Sequence, residues 1–192
     1  MPRPSREPQI LAAALSQFAE HGYDNARVRG IADAAGVSEA ALYRHYPSKE
    51  ALAFALFRHH LRRYSEALLY MTDVTGITVA DRIRDVVTTS LQAFEDERDV
   101  FVFVTTQQHR LIGALPANFP YPIRIVERIV RDGQRDGSVR AGPVRLLAAL
   151  VFGCVMQPVR TVLEAPPGTS SLASPKARAL CADAAWRAIA AA

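Results

Sequence analysis

The segment AGVSEAALYRHYP, residues 35–47, predicts a tight joint between two short helices. The helical stripe that precedes it stops at Gly36, and Ser38 stands where the N-cap of the next helix belongs. That helix is expected to end at about Tyr46, because Pro47 disfavours helical geometry in the residue before it. A helix, a turn with glycine and a second helix form the pattern of a helix-turn-helix.

The flanking sequence extends this pattern on both sides. Residues 5–21 carry apolar side chains at helical spacing, and Gly22 follows where a C′ glycine belongs. A second helix of about two turns begins near Val28, and residues 48–71 predict a long fourth helix. The sequence therefore predicts three helices that lead into a long one.

The third helix is expected to turn a polar and basic face to solvent when its apolar residues pack inward. Arg44 can donate two hydrogen bonds to guanine in the major groove, and tyrosine hydroxyls can bond to phosphates. An alternative is that Tyr43 and Tyr46 pack between helices, which is favoured for Tyr46. The outward face consists of Ser38, Glu39, Ala40, Tyr43, Arg44 and His45.

Residues 22–52, GYDNARVRGIADAAGVSEAALYRHYPSKEAL, resemble the DNA-binding signature of the TetR family of bacterial transcriptional regulators. The resemblance covers roughly the first 60 residues. The matching positions are Gly22 and Tyr23, Ile31 and Ala32, Ala35 to Ser38, Leu42 and Tyr43, and Pro47 to Leu52.

The resemblance implies that the outward face of the third helix meets an operator in double-stranded DNA. It also implies that Lys49 holds a phosphate at the start of the fourth helix. Where the family commonly has two threonines, this chain has Ala26 and Arg27. We therefore expect Asn25 to cap the second helix and Arg27 to contact a phosphate.

Beyond residue 52 the sequence predicts helices only. They are expected over residues 79–97, 99–112, 123–136, 143–163 and 175–191. The predicted fold is all-α, with a helix-turn-helix domain over residues 1–50. The resemblance implies that residues 51–192 form a helical domain that binds an effector and dimerises.

The last two predicted helices carry more apolar surface than one small core needs. The resemblance implies that they pair with their copies in a two-fold homodimer as a four-helix bundle. An alternative is that the last helix is an Ala-rich helix exposed to solvent. The expected interface residues are Leu147, Leu150, Cys154, Leu180, Cys181 and Ala184.

The middle helices mix aromatic and polar residues. Ligand cavities are apolar with a few placed polar groups, and the family holds such cavities among its helices. The effector predicted from this lining is an unidentified small molecule of apolar or aromatic character; the alternative is an ordinary core. The candidate residues are Met71, Phe94, Phe101, Phe103, Gln108, His109, Phe119 and Tyr121.

The net charge and the motifs of the sequence limit the possible functions. The net charge of +4 and the pI near 9.4 favour acidic partners weakly. No catalytic triad, paired acid and base, phosphate-binding loop or metal-ligand spacing stands out, so we expect neither an enzyme nor a metal or cofactor. The resemblance implies a DNA-binding transcriptional regulator, which in this family is most often a repressor. A regulator that responds to no ligand is the alternative, and a small helical enzyme is less favoured.

The cysteines and apolar runs indicate the compartment. Cys154 and Cys181 lack the spacing of a disulfide framework or a zinc site. The longest apolar run, residues 146–159, falls short of the roughly 20 residues that a membrane span needs. The N-terminus lacks the apolar core of a secretory signal. We expect a cytoplasmic protein with no membrane partner.

Overall fold

The computed structural model describes residues 6–72, 75–166 and 172–191. Across these ranges the chain folds into nine α-helices, a short 3₁₀ turn at Ile112–Ala114 and a single isolated β-bridge between Val139 and Ala190. The all-α prediction is confirmed. The helices are α1 (Glu7–Asn25), α2 (Val28–Ala34), α3 (Glu39–His45), α4 (Lys49–Thr72), α5 (Val79–Asp96), α6 (Arg98–Leu111), α7 (Pro122–Asp136), α8 (Val144–Glu164) and α9 (Pro175–Ile189).

Gly22 breaks the helical geometry where the sequence predicts the end of the first helix, but α1 resumes and runs to Asn25. The φ of Gly22, 73°, lies in the left-handed region, where glycine carries no penalty from a side chain. The expected cap of α2 is wrong, since Asn25 still belongs to α1 and no side chain caps α2. Arg27 occupies the N-cap position in extended conformation and supplies only its backbone.

The helix-turn-helix forms from local signals. Gly36 adopts a φ of 63° in the turn. The Oγ atom of Ser38 accepts a hydrogen bond of 3.1 Å from the Ala41 amide, which confirms Ser38 as the N-cap of α3. Leu42 is fully buried and fixes the inner side of α3.

The chain divides into two compact units. The first comprises the chain up to Leu61 together with Arg98–Ala117, and the second comprises Arg62–Glu97 together with the chain from Asn118 onward. The helix α4 contributes residues to both units. The predicted domains, 1–50 and 51–192, stay a prediction.

The first unit buries a core from α1 to α4 and adds α6. Phe103 of α6 stacks on Phe18 of α1, with ring centroids 5.5 Å apart and planes 6° apart. Offset stacking of this kind adds stability beyond the area that it buries. Fully buried core residues of this unit are Ile10, Ala14, Ile31, Leu42, Leu52, Leu56 and Phe57.

The second unit packs α5 against α7, α8 and α9. Gly133 of α7 is required there, because an added Cβ would lie 2.4 Å from a methyl carbon of Val139 and 2.8 Å from one of Val79. Tyr64 of α4 is half-buried, and its hydroxyl shares a hydrogen bond with the Ser90 hydroxyl of α5. Burial raises the pKa of Tyr64 to about 12. This interior is apolar with few polar groups.

The helix α8 is longer than the apolar run that the sequence shows. Its 21 residues are long and apolar enough to cross a membrane by length and composition alone. One such helix is weak evidence of a span, because core helices of soluble proteins pass the same test. Its buried residues, Leu147, Ala148, Val151, Val155, Val159 and Val162, follow one helical stripe.

Candidate nucleic-acid interface

The structure brings the six residues of the predicted recognition face together. All are exposed and lie on α3 or at its N-cap. We call this surface the α3 face, and it consists of Ser38, Glu39, Ala40, Tyr43, Arg44 and His45. Its N-terminal part is small and its C-terminal part carries a guanidinium, an imidazole and a phenol.

Tyr46 packs inside, which settles the alternative that the sequence left open. Its side chain is 7% exposed, and its hydroxyl donates a 3.0 Å hydrogen bond to Oε1 of Glu7 in α1. Burial and this hydrogen bond raise the pKa of Tyr46. Tyr43 stays exposed. The end of α3 is therefore hydrogen-bonded to α1, while the outward side of α3 remains accessible to DNA.

Arg27 lies beside an open cleft of about 510 Å³ between α1 and α2. Arg29 lines the same cleft and is exposed; its Nε is 4.0 Å from the Asp33 carboxylate. Sequence reasoning missed Arg29, although its spacing of two residues from Arg27 was a signal. The cleft presents the cationic donors that phosphates need. Its lining is Gln17, His21, Asn25, Arg27, Arg29, Gly30 and Asp33.

Lys49 lies at the start of α4, as predicted, and its ammonium group contacts the backbone of the same chain. Its Nζ donates hydrogen bonds to the carbonyls of Tyr23 (2.8 Å), Asp24 (3.0 Å) and Ala26 (3.1 Å). An ammonium group has three donors, and these bonds use all of them. In this arrangement Lys49 holds the end of α1, and the phosphate contact stays a prediction.

Arg110 was not singled out from the sequence. It belongs to α6, and its Cζ lies 4.4 Å from the centroid of the Tyr23 ring. Its NH1 group lies 3.3 Å from Oδ1 of Asp24. No sequence signal pointed to it, because the contact joins residues 86 apart in the chain.

The predicted ligand residues are divided between the two units. Phe101, Phe103, Gln108 and His109 lie on α6 in the first unit, whereas Met71, Phe94, Phe119 and Tyr121 lie in the second.

Gln108 and His109 are exposed. Their exposure follows from the helical periodicity of α6. This helix buries the side that carries Phe103 and Leu111, and Gln108 and His109 point away from that side. They are therefore poorly placed as the polar groups of an internal pocket. Phe94 and Phe119 are buried, and Met71 accepts a 3.4 Å hydrogen bond from the Thr89 hydroxyl.

The expected dimer residues lie mostly on the surface of the second unit. Leu150 of α8 and Leu180 of α9 are 44% and 67% exposed, and Ala184 is also exposed. Leu147 differs from the expectation. It is 5% exposed, so it packs within the protomer and has little surface left for a partner. Its neighbour Leu146, 58% exposed, was missed.

The two cysteines lie half-buried where α8 and α9 meet. Burial raises the pKa of both thiols, and the nearby Cys181 thiol further raises the pKa of Cys154. Both are free. Among the residues that the structure describes, no group of three or more His, Cys, Asp or Glu side chains is placed to hold a metal ion.

Comparison with known proteins identifies the DNA-binding part. Residues 10–56 match the family model of bacterial regulatory proteins of the tetR family. The chain carries the DNA-binding segment of the TetR family. This family consists of transcription regulators and not of enzymes, which confirms the expectation that the chain is no enzyme.

Two relatives show how the similarity is distributed. The HTH-type transcriptional repressor Rv1474c of Mycobacterium tuberculosis is 46% identical over 59 residues, which cover 31% of this chain and 32% of that protein. The fatty acid metabolism regulator protein of Bacillus subtilis is 25% identical over 162 residues, which cover 80% and 81% of the two chains. The strongest similarity therefore lies in a short segment.

A solved structure extends the likeness to the whole fold. The transcriptional regulator FadR from Bacillus subtilis, in complex with stearoyl-CoA, superposes with a TM-score of 0.75. The match covers 92% of this chain and 98% of that chain. At 19% sequence identity this likeness shows the fold alone.

Proposed function

We propose that the protein is a homodimeric transcriptional repressor that binds a palindromic operator and leaves it when a small apolar or aromatic ligand binds. The observation that carries the DNA-binding part is the exposed α3 face on a helix whose inner side is fixed by Leu42 and Tyr46. A rigid helix with small residues at its start can approach base edges. The curated relative from Mycobacterium tuberculosis is named a repressor, which favours repression.

The exposed leucines of α8 and α9 support the dimer. Large exposed apolar side chains that cluster on one face mark sites of association. One helical turn after Leu150 lies Cys154, and one turn after Leu180 lies Ala184. Both of these side chains are small, which allows helices to approach closely. A two-fold axis would bring the same patch of α8 and α9 together from both protomers.

The ligand proposal rests on the second unit and on one relative. The Bacillus subtilis relative is named for fatty acid metabolism, and FadR from that organism was solved with stearoyl-CoA, which carries a long apolar chain. In the present chain the second unit supplies Met71, Phe94, Phe119 and Tyr121. Of the predicted lining, we keep these four as candidates for an apolar ligand. A regulator that binds DNA without any ligand is the alternative.

The operator provides the direct test of this proposal. We expect selection of duplexes from a random pool to enrich an imperfect palindrome. Its half-sites should lie about one helical turn apart, roughly 34 to 36 Å, because a two-fold dimer presents two recognition helices to one side of the duplex. Sequencing of the bound pool measures this spacing. Enrichment of a lone half-site would contradict the dimeric arrangement, and no enrichment would contradict operator binding.

The ligand response has a thermodynamic signature. An inducer should weaken operator binding about 5- to 150-fold, the range of a typical coupling of about 1 to 3 kcal/mol. Operator DNA must weaken ligand binding by the same factor. Calorimetric titration of stearoyl-CoA, with coenzyme A as the control without an apolar chain, measures both affinities. Equal ligand affinity with and without operator would exclude that compound as the inducer.

A further inference from the structure

The junction between α1 and α2 is held from two sides. Gly22 breaks α1, and the chain then passes through Tyr23, Asp24 and Ala26 before α2 begins. Lys49 donates to the carbonyls of all three of these residues, and its Nζ lies 4.7 Å from the centroid of the Tyr23 ring. The guanidinium of Arg110 lies 4.4 Å from the same ring. The Tyr23 ring thus has two cations within the distance of a cation–π contact.

Arg110 comes from a part of the chain outside the segment that matches the family model. That segment ends at residue 56, whereas Arg110 lies near the end of α6. The guanidinium also pairs with Asp24 at 3.3 Å. A single side chain therefore engages both the ring of Tyr23 and the carboxylate of the next residue.

An aromatic column continues from this contact into the first unit. The rings of Tyr23 and Phe18 are 5.5 Å apart, and Phe18 stacks on Phe103 of α6. We call the set of Phe18, Tyr23, Phe103 and Arg110, together with Asp24, the α6 brace. It joins α6 to the end of α1 through two sets of contacts. One is the apolar stacking of Phe103 on Phe18, and the other is the contact of the Arg110 guanidinium with Tyr23 and Asp24.

The α6 brace affects the position of the recognition helix α3 through α2. The junction sets where α2 begins, and the Val37 amide in the following turn donates a 3.0 Å hydrogen bond to the Ala32 carbonyl of α2. Because α3 starts directly after this turn, a displaced junction displaces α3. Displacements of about 1 Å matter for base recognition, since bidentate hydrogen bonds tolerate little error in distance.

We infer that Arg110 is a positioning residue for operator binding, which holds the junction of α1 and α2 against α6 without touching DNA. This inference rests on the DNA-binding function proposed above. It goes beyond the α3 face, because it makes affinity depend on a residue of α6, outside the helix-turn-helix.

The test compares Arg110→Ala with Arg110→Lys and with Arg131→Ala in the full-length protein. Arg131 is a matched control, because its 3.2 Å ion pair with Glu127 stays within α7. We expect Arg110→Ala to weaken binding to the selected operator about tenfold, the combined size of one cation–π contact and one exposed ion pair at each half-site. Arg110→Lys should recover most of the affinity, and Arg131→Ala should bind like the parent.

The salt dependence of operator binding distinguishes a residue that positions the recognition helix from a residue that contacts DNA directly. Each lost phosphate contact lowers the slope of log affinity against log salt concentration by about one. The slope should be unchanged in Arg110→Ala, whereas its operator affinity falls. A slope reduced by one or more, or an affinity equal to the parent's, would overturn the inference.

Amide hydrogen exchange gives a readout that needs no DNA. Exchange in residues 23–32 should be faster in Arg110→Ala and unchanged in Arg131→Ala, since the loss of the brace favours local opening. Unchanged exchange in both variants would also overturn the inference. If the parent protein bound no DNA while exchange rose as expected, the proposed function would fail and the brace would stand.

Discussion

Leu180→Asp is expected to convert the proposed dimer to monomers and to weaken operator binding about 100-fold or more. Leu180 is 67% exposed, so a carboxylate there costs the protomer little. In a two-fold interface each protomer would bury this carboxylate against apolar surface of its partner, and burying an unpaired charge is strongly unfavourable. Monomers lose the linkage between two half-sites, which is commonly worth two to four powers of ten in affinity.

Sedimentation measures the mass, and operator titration measures the affinity. Ile112→Asp is a matched control, since it also replaces an exposed apolar residue by aspartate but lies in the first unit, on neither α8 nor α9. It should remain dimeric. A dimer that survives in Leu180→Asp would place the interface elsewhere on the chain.

The helix-turn-helix was predictable because its signals are local. Gly36, Ser38 and Pro47 each act within a few residues, through a positive φ, a capping hydroxyl and a clash with the preceding residue. The identity of the α3 face followed once the helix and its buried Leu42 were known. These features depend on the sequence within about 15 residues, so the sequence alone specifies them.

The role of α6 was not predictable in the same way. Its apolar spacing fits a helix, but spacing does not say which partner the helix packs against. Phe103 was predicted as a ligand residue and instead stacks on Phe18, and Arg110 was not singled out at all. Both contacts join residues more than 80 apart, and no local rule specifies such a pairing.

The error at α8 has a different origin. This helix is apolar on more than one side, so the sequence does not fix which stripe faces its own protomer. A shift of one residue rotates the face by about 100°, and this separates the buried Leu147 from the exposed Leu146. Lys49 shows a similar limit, since its place at the start of α4 was right but its three carbonyl partners belong to distant backbone.

Arg44→Ala is expected to reduce specific binding strongly and to relax the preference at one operator position. Arg44 is exposed on the α3 face, where a guanidinium can form a bidentate pair with guanine. Such a contact is worth about 1 to 3 kcal/mol, and a symmetric dimer makes it twice. The loss is therefore about 2 to 6 kcal/mol over the whole operator, or roughly 30-fold to 20,000-fold.

Arg27→Ala is the matched comparison, because it removes the same charge from a residue that we expect at a phosphate. It should weaken selected and random DNA alike and lower the salt slope by about one for each protomer. Binding titrations on the selected operator, on operators with each base pair changed and on random DNA distinguish the two variants. Arg44→Ala should lose most on the selected operator and little on random DNA, because base contacts carry specificity and phosphate contacts do not. An equal loss of affinity on both DNAs would show that Arg44 contacts the DNA backbone. Other residues of the α3 face would then have to contact the bases.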